Sequence, residues 1–174
     1  ILASIGMSGA GMLDPETEIA NVAGVDNTLH ACGAFDVKAL IYTSSYNVVF
    51  GGQRIEGGTE DTLPYYPTEG HTDYYSRSKR IAEERVLKHN QSISRNGTTL
   101  RTLSLRPAAI YGEGEQRHFP RIIGHIDAGL FAFQIGHHAR VDWGHVENLS
   151  QAFCRGIEAL LNSHEREPVC AGKA

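Results

Sequence analysis

The residues best suited to chemistry are Tyr75 and Lys79, in the stretch 73–84, whose pattern is typical of the start of a helix. Four residues apart on a helix, the two side chains lie one turn apart on one face. A phenol with a pKa of about 10 is a poor base at neutral pH, but a nearby ammonium lowers that pKa. A tyrosine tuned in this way can take a proton from an alcohol, or give one to a carbonyl, as hydride moves to or from the carbon.

The same spacing also fits a half-exposed helix whose lysine snorkels to solvent. The preceding strand favours the chemical interpretation. Residues 39–42 form a short apolar run, typical of a buried parallel strand, and Thr43, Ser44 and Ser45 follow it. Ligands of open α/β sheets bind outside the carboxyl ends of the strands, so these hydroxyls are expected at a ligand site. Ordinary turn chemistry is the alternative.

The other predicted helices and strands must position this edge of the sheet. Asp14, Pro15 and Glu16 predict the start of a helix that reaches Cys32 and contains Asn21, which on its own is an exposed polar residue. We also expect the end of a buried strand at 1–4, a long loop over 51–72, the Tyr75 helix to about His89, a strand over 100–105, a loop over 108–114, a helix over 120–130, short strands over 131–135 and 139–143, and a helix over 147–161.

Composition limits the classes of function. The formal charge is −4 and the basic residues form no long run, so a nucleic-acid partner is not suggested. No apolar run approaches the roughly 20 residues of a membrane span, and there is no signal peptide. The three cysteines, Cys32, Cys154 and Cys170, are odd in number and lack metal-ligand spacing, which favours reduced thiols in an intracellular protein.

Other candidate sites have plainer interpretations. No metal site is predicted, because the histidines lack ligand spacing and fit surface or turn positions; they include His118, His125, His137, His138 and His145. Trp143 is expected in a packed core rather than as a platform for substrate. The chain opens at Ile1 without an initiating Met, apparently inside a strand, so we expect a piece of a longer protein.

Several motifs, in this order along the chain, resemble the extended short-chain dehydrogenases/reductases. They are residues 21–24 (Asn-Val-Ala-Gly), Thr43, Ser44 and Ser45 with Asn47 and Val48, the Tyr75 and Lys79 pair, residues 106–112 (Arg-Pro-Ala-Ala-Ile-Tyr-Gly), and residues 145–148 (His-Val-Glu-Asn). Residues 6–9, 47–53, 75–79 and 105–118 are most similar to the 3β-hydroxysteroid dehydrogenase/isomerase family, especially its 42E subgroup.

This resemblance implies an α/β fold, a partial Rossmann-type doubly wound parallel sheet. Residues 1–174 would be the central part of a single NAD(P)-binding domain, with the start of the substrate-binding region near 113–145. The implied catalytic residues are Tyr75 as general acid/base, Lys79, Ser45 to hold the substrate oxygen, and Asn21 to support a proton-relay water. The implied cofactor-binding residues are Ala3, Ser4, Thr43, Ser44, Tyr75, Lys79, Pro107, Ala108 and Ile110.

The resemblance also implies NAD as cofactor, with NADP open, and a steroid, sterol or other small hydrophobic alcohol or ketone as substrate. The alternatives are a nucleotide-sugar epimerase or dehydratase or a dihydroflavonol-type reductase of the same fold, and a non-catalytic NAD-binding regulatory protein. A homodimer stays open. Association with the endoplasmic reticulum membrane would depend on segments outside this chain.

The family's Gly-rich first turn and the acid that contacts the adenosine ribose are absent from these 174 residues. The first turn builds the pyrophosphate site, and the missing strands leave a bare sheet edge. We therefore expect the chain alone to be unstable or aggregation-prone, and inactive.

Overall fold

The computed structural model describes residues 1–130, 132, 140–162 and 169–174. They form two compact units, one of Ile1–Arg106 with Phe153–Ala174, and one of Pro107–Ala152. Outside the described residues lie the predicted strand over 131–135 apart from residue 132, the first residue of the strand predicted over 139–143, and His137 and His138. No helix among the described residues is long and apolar enough to cross a membrane.

The first unit alternates helices and strands, as the sequence predicts. It contains helix α1 (Pro15–Ala34), strand β1 (Ala39–Thr43), helix α2 (Tyr74–Lys88) and strand β2 (Arg101–Leu105), with short 3-10 helices at Gly9–Leu13, Tyr46–Val49 and Thr68–Gly70. The Asp14 carboxylate accepts a hydrogen bond from the Glu16 amide at 3.0 Å, and Pro15 opens α1, so the predicted start is confirmed.

Strands β1 and β2 are parallel, with Ala39 opposite Arg101 and Thr43 opposite Leu105. The chain extends this sheet at both edges, because the Thr43 amide donates to the Ile1 carbonyl and the Ser104 amide donates to the Lys173 carbonyl. The buried strand end expected over 1–4 is wrong, because these residues form no strand and Ile1, which is half-buried, meets the edge of β1 through backbone hydrogen bonds. Leu2 is 74% exposed, because the chain leaves the edge of β1 after its first residue.

Helices cover both faces of this sheet. On one face Leu40 and Tyr42 of β1 pack against buried residues of the first two helices, namely Val25, Leu29, Cys32, Ala82 and Val86. On the other face Ile41 and Leu103 pack against Leu160. A Cβ at Gly156 would meet the side chains of Ile41 and Leu103 at 2.8 Å, so the helix that contains Gly156 and Leu160 needs glycine at this position to approach the sheet. The doubly wound α/β fold is confirmed.

The second unit has its own parallel pair, strands β3 (Ala109–Tyr111) and β4 (Trp143–His145), together with helix α3 (Phe119–Asp127). Helix α4 (Val146–Asn162) begins in this unit and ends in the first. The loop expected over 108–114 is therefore partly wrong, because its central residues gain a strand partner at Trp143 that lies far away in sequence.

Trp143 is not in a packed core. It is 41% exposed, and its ring contacts those of Phe119 at 5.4 Å and His118 at 5.3 Å between centroids. The reason is its position on a short two-stranded sheet, where a small cluster of aromatic rings covers the side chain only in part.

A buried carboxylate fastens α2 to the rest of the first unit. Glu83 is 0% exposed and accepts hydrogen bonds from the Tyr65 hydroxyl at 2.6 Å, the Ser104 hydroxyl at 2.9 Å and Arg106 Nε at 2.9 Å. The Arg106 guanidinium also lies over the Tyr65 ring, 4.9 Å from its centre. The long loop, the helix and the end of β2 thus meet at one ion pair.

Arg106→Met should lower the free energy of unfolding of the complete protein by about 3–5 kcal/mol, because Glu83 would stay buried without its cation. Urea denaturation measures the loss. The matched control is Arg54→Met, whose ion pair with Glu56 is exposed and should be worth about 1 kcal/mol or less. The double variant Glu83→Gln/Arg106→Met should lower the free energy of unfolding less than Arg106→Met alone, because no unpaired charge stays buried. An equal or larger loss in the double variant would contradict this explanation.

Candidate active site

Helix α2 places Tyr75 and Lys79 inside the protein. The Asp73 carboxylate accepts from the Ser76 amide at 2.7 Å, so the helix begins at Tyr74 and its first turn carries Tyr75. Tyr75 is 7% exposed and Lys79 is 3% exposed. The interpretation of this pair as a half-exposed helix face with a snorkelling lysine is therefore wrong.

The ammonium of Lys79 lies at the carboxyl end of β1. Its Nζ donates to the Thr43 carbonyl at 2.6 Å and lies 5.8 Å from the centre of the Tyr75 ring. Burial lowers the pKa of Lys79 to about 8, against the opposing effect of the negative charge on Glu83. Two of its three N–H donors have no partner among the described residues, and they are available to a ligand.

A second tyrosine, Tyr42, belongs to this cluster and was missed in the sequence. Its ring centre lies 4.7 Å from Lys79 Nζ, a cation–π contact. Burial first, then the charges of Tyr75 and Glu83, raise the pKa of Tyr42 above its usual value, so Tyr42 stays neutral and cannot rival Tyr75 as a base. Strand alternation offered a signal, since Tyr42 faces the same side of β1 as Leu40.

Three hydroxyl residues stand at the carboxyl end of β1, where Thr43 ends the strand and Ser44 and Ser45 follow it. The Oγ1 of Thr43 and the Oγ of Ser44 are buried and have no hydrogen-bond partner among the described residues. Ser45 is buried, and its Oγ accepts from the Asn47 amide at 3.3 Å at the start of the 3-10 helix. Buried polar groups normally have partners, so the two unpartnered hydroxyls mark a place where a ligand can bind.

Two asparagines join neighbouring segments to α2. Asn47 Nδ2 donates to the Ser76 hydroxyl at 3.0 Å and so ties the turn after Ser45 to the helix. Asn21 of α1 donates to the Ser78 hydroxyl at 3.0 Å, which confirms that it is not merely an exposed polar residue. Sequence reasoning missed Asn47, Ser76 and Ser78 as parts of the site.

The other predicted cofactor-binding residues are less closely tied to this cluster. Ala3 is exposed and Ser4 is half-buried, and both precede Ile5, whose backbone is bonded to Asn21. Pro107, Ala108 and Ile110 belong to the second unit, and their place beside a nicotinamide stays a prediction. In the described part of the chain, no group of three or more His, Cys, Asp or Glu could hold a metal ion.

The whole chain, residues 1–174, matches the 3-beta hydroxysteroid dehydrogenase/isomerase family. The chain belongs to this family. Short-chain dehydrogenase/reductase family 42E member 1 of Danio rerio is 49% identical over 167 residues, 94% of this chain and 43% of that protein.

Two further members of the family carry names that state an activity. Sterol-4-alpha-carboxylate 3-dehydrogenase, decarboxylating, of Candida albicans is 35% identical over 87% of this chain and 41% of that protein. The 3 beta-hydroxysteroid dehydrogenase/Delta 5-->4-isomerase of Mycobacterium tuberculosis is 37% identical over 89% of this chain and 41% of that protein. The chain spans about two fifths of the length of these relatives.

Solved structures support the Rossmann-type fold. UDP-glucose 4-epimerase of Thermus thermophilus in complex with NAD superposes with a TM-score of 0.67 at 22% identity, over 92% of this chain and 52% of that one. RMD from Pseudomonas aeruginosa complexed with NADPH gives a TM-score of 0.65 at 26% identity, over 88% of this chain and 52% of that one.

Lys79→Met should not destabilise the complete protein at pH 7, because it removes a cation whose burial is only partly compensated. The pKa of Lys79 is about 8 when folded, against an ordinary value of 10.5. The unfolded chain therefore binds more protons between these pH values, and the wild-type free energy of unfolding gains up to about 3 kcal/mol as pH rises from 8 to 10.5. In the variant this gain is absent.

Urea denaturation at pH 7 and at pH 10 measures this difference between wild type and variant. The matched control is Lys88→Met on the same helix, because Lys88 is exposed. A difference between wild type and Lys79→Met that is the same at both pH values would contradict the depressed pKa.

Proposed function

We propose that the complete protein is an NAD-dependent oxidoreductase of the 3β-hydroxysteroid or sterol type. The observation that carries the proposal is the buried Tyr75 and Lys79 pair at the carboxyl end of β1, where Lys79 Nζ donates to the Thr43 carbonyl. A bound nicotinamide would supply the hydride chemistry, taking hydride from a carbon that bears a hydroxyl or giving it to a ketone carbon. The 174-residue chain by itself is proposed to be inactive.

Each residue has a distinct task in this reaction. Tyr75 takes the proton of the substrate hydroxyl during oxidation, or gives a proton to the ketone oxygen during reduction. The Lys79 ammonium favours the phenolate of Tyr75 by its charge, and its remaining donors suit the hydroxyls of a nicotinamide ribose. Ser45 would hold the substrate oxygen next to Tyr75.

The nicotinamide cofactor fits the donors and acceptors of this edge. Lys79 offers N–H groups, and Thr43 and Ser44 offer buried hydroxyls that lack partners among the described residues. Because solved neighbours are complexes with NAD or with NADPH, the proposal names NAD and leaves NADP as an outcome of the binding test.

The substrate class rests on the family. Two relatives at 35% and 37% identity carry names of sterol and 3β-hydroxysteroid dehydrogenases, which supports a hydrophobic ring alcohol. We also propose that the complete protein is intracellular. The family resemblance extends the proposal to association with the endoplasmic reticulum membrane and to a homodimer.

Tyr75→Phe in the complete protein should reduce turnover by about 10²- to 10⁴-fold, the usual contribution of a general acid/base. The assay follows NADH absorbance with NAD and a panel of 3β-hydroxysteroids and sterols. UDP-sugars are tested alongside by chromatography of the products, because an epimerase or dehydratase returns the hydride to the sugar and accumulates no NADH. Tyr74→Phe is the matched control, because it removes a hydroxyl one residue away from a side chain that is only half-buried.

The outcomes separate the alternatives. Turnover of a steroid that Tyr75→Phe abolishes and Tyr74→Phe preserves supports the proposal. Turnover of a UDP-sugar alone would contradict the steroid or sterol class and support a nucleotide-sugar enzyme. NAD binding without turnover of any substrate would favour a regulatory protein.

A further inference from the structure

Asn21 uses its whole amide on two neighbouring segments. Its Oδ1 accepts from the Ile5 amide at 2.9 Å, and its Nδ2 donates both to the Ile5 carbonyl at 3.1 Å and to the Ser78 hydroxyl at 3.0 Å. Asn21 is 9% exposed. Both hydrogens of the side-chain amide are thus engaged. A water held by this side chain would have to share Oδ1 with the Ile5 amide.

Ser78 continues this connection into the turn that carries Tyr75. Its hydroxyl accepts from Asn21 and donates to the Tyr75 carbonyl at 2.7 Å, and the residue is 0% exposed. The single hydroxyl proton is therefore directed at Tyr75, while its lone pairs face Asn21. The path from Ile5 to Tyr75 is an unbroken series of buried or half-buried hydrogen bonds.

The two ends of this path are the two sides of the proposed site. Ile5 directly follows Ala3 and Ser4, the segment that family resemblance assigns to the cofactor, and Tyr75 is the proposed acid/base. A distance between cofactor and acid/base that varies by about 1 Å can cost on the order of 10²-fold in rate. A rigid connection between these segments is therefore useful to the reaction.

We infer that Ser78 is a positioning residue, which with Asn21 fixes the segment 3–5 against the Tyr75 turn of α2. This assigns Asn21 a different role from the relay water that the resemblance implies. The inference rests on the proposed function, since it concerns the geometry of the same site.

Ser78→Ala in the complete protein tests this role. The substitution removes the acceptor of a buried Asn21 donor and the donor to the Tyr75 carbonyl, so the segment 3–5 should lose its fixed position. We expect the Kd for NADH, measured by fluorescence, to rise about tenfold, the effect of one poorly satisfied hydrogen bond. Hydrogen–deuterium exchange should rise in peptides that contain residues 3–8, although these lie about 70 residues away in sequence.

Two control variants separate the hydrogen bonds from other effects. Ser78→Thr keeps the hydroxyl and should stay within about threefold of wild type in both measurements. Ser150→Ala removes a similar bond from a helical serine to a carbonyl of its own helix, Val146, at an exposed position, and should change neither. If Ser78→Thr raises the Kd for NADH and the exchange at residues 3–8 as much as Ser78→Ala does, packing and not hydrogen bonding is responsible, and the inference is wrong.

A double-mutant cycle with Asn21→Ala tests the connection directly. If the two residues act as one bridge, Ser78→Ala should weaken NADH binding about tenfold in wild type but less than twofold in Asn21→Ala. A relay water held by Asn21 predicts the opposite pattern, with turnover lost, the Kd for NADH unchanged and no effect of Ser78→Ala on exchange at residues 3–8.

Failure of the inference and failure of the proposed function look different. Wild-type protein that binds NADH but reacts with no alcohol overturns the proposed function, while the Kd and exchange measurements still test the bridge. Active wild-type protein whose Ser78→Ala variant has unchanged Kd and exchange overturns the inference alone.

Discussion

The burial of one ammonium group constrains everything else in the first unit. Lys79 is nearly inaccessible, and within the described part of the chain the Thr43 carbonyl, the rings of Tyr42 and Tyr75 and the charge of Glu83 compensate the loss of water. The lowered pKa shows that this compensation is partial. Burial of the cation in this way lowers the stability of the protein, but it provides an electrostatic environment that is already oriented for a developing negative charge.

Such a cation is useful only if the helix beneath it cannot move. Helix α2 is therefore fixed near Lys79 by polar contacts from several elements: the Asp73 cap, the Asn47 and Ser76 bond, the Asn21 and Ser78 bond, and the Glu83 and Arg106 ion pair. Each contact fixes a different direction, because each partner lies on a different segment. Ala82 and Val86 add apolar packing of the helix in the cluster that contains Leu40 and Tyr42 of β1.

Local chemistry predicted much of this arrangement. The Asp14 and Pro15 start, the apolar run of β1 and the four-residue spacing of Tyr75 and Lys79 are properties of short segments, and the structure has them where the sequence places them. Tyr42, Asn47 and Ser78 could not be found in this way. Their roles depend on which strand meets which helix, and the sequence alone gives no such pairing. Strand β3 was missed for the same reason, since three residues become a strand only beside β4.

The described site separates the chemistry of the reaction from the choice of substrate. A tyrosine beside an ammonium acts on a C–O bond whatever carbon skeleton bears it, and the same Rossmann-type fold occurs in an epimerase of UDP-glucose. The overall shape therefore cannot decide between a sugar and a sterol. For the proposed substrate class the relatives named for sterols and 3β-hydroxysteroids carry more weight, because they are 35–37% identical over nearly nine tenths of the chain. In the proposed reaction the position of Tyr75 would select the bond that reacts, and the residues around the carbon skeleton would select the substrate.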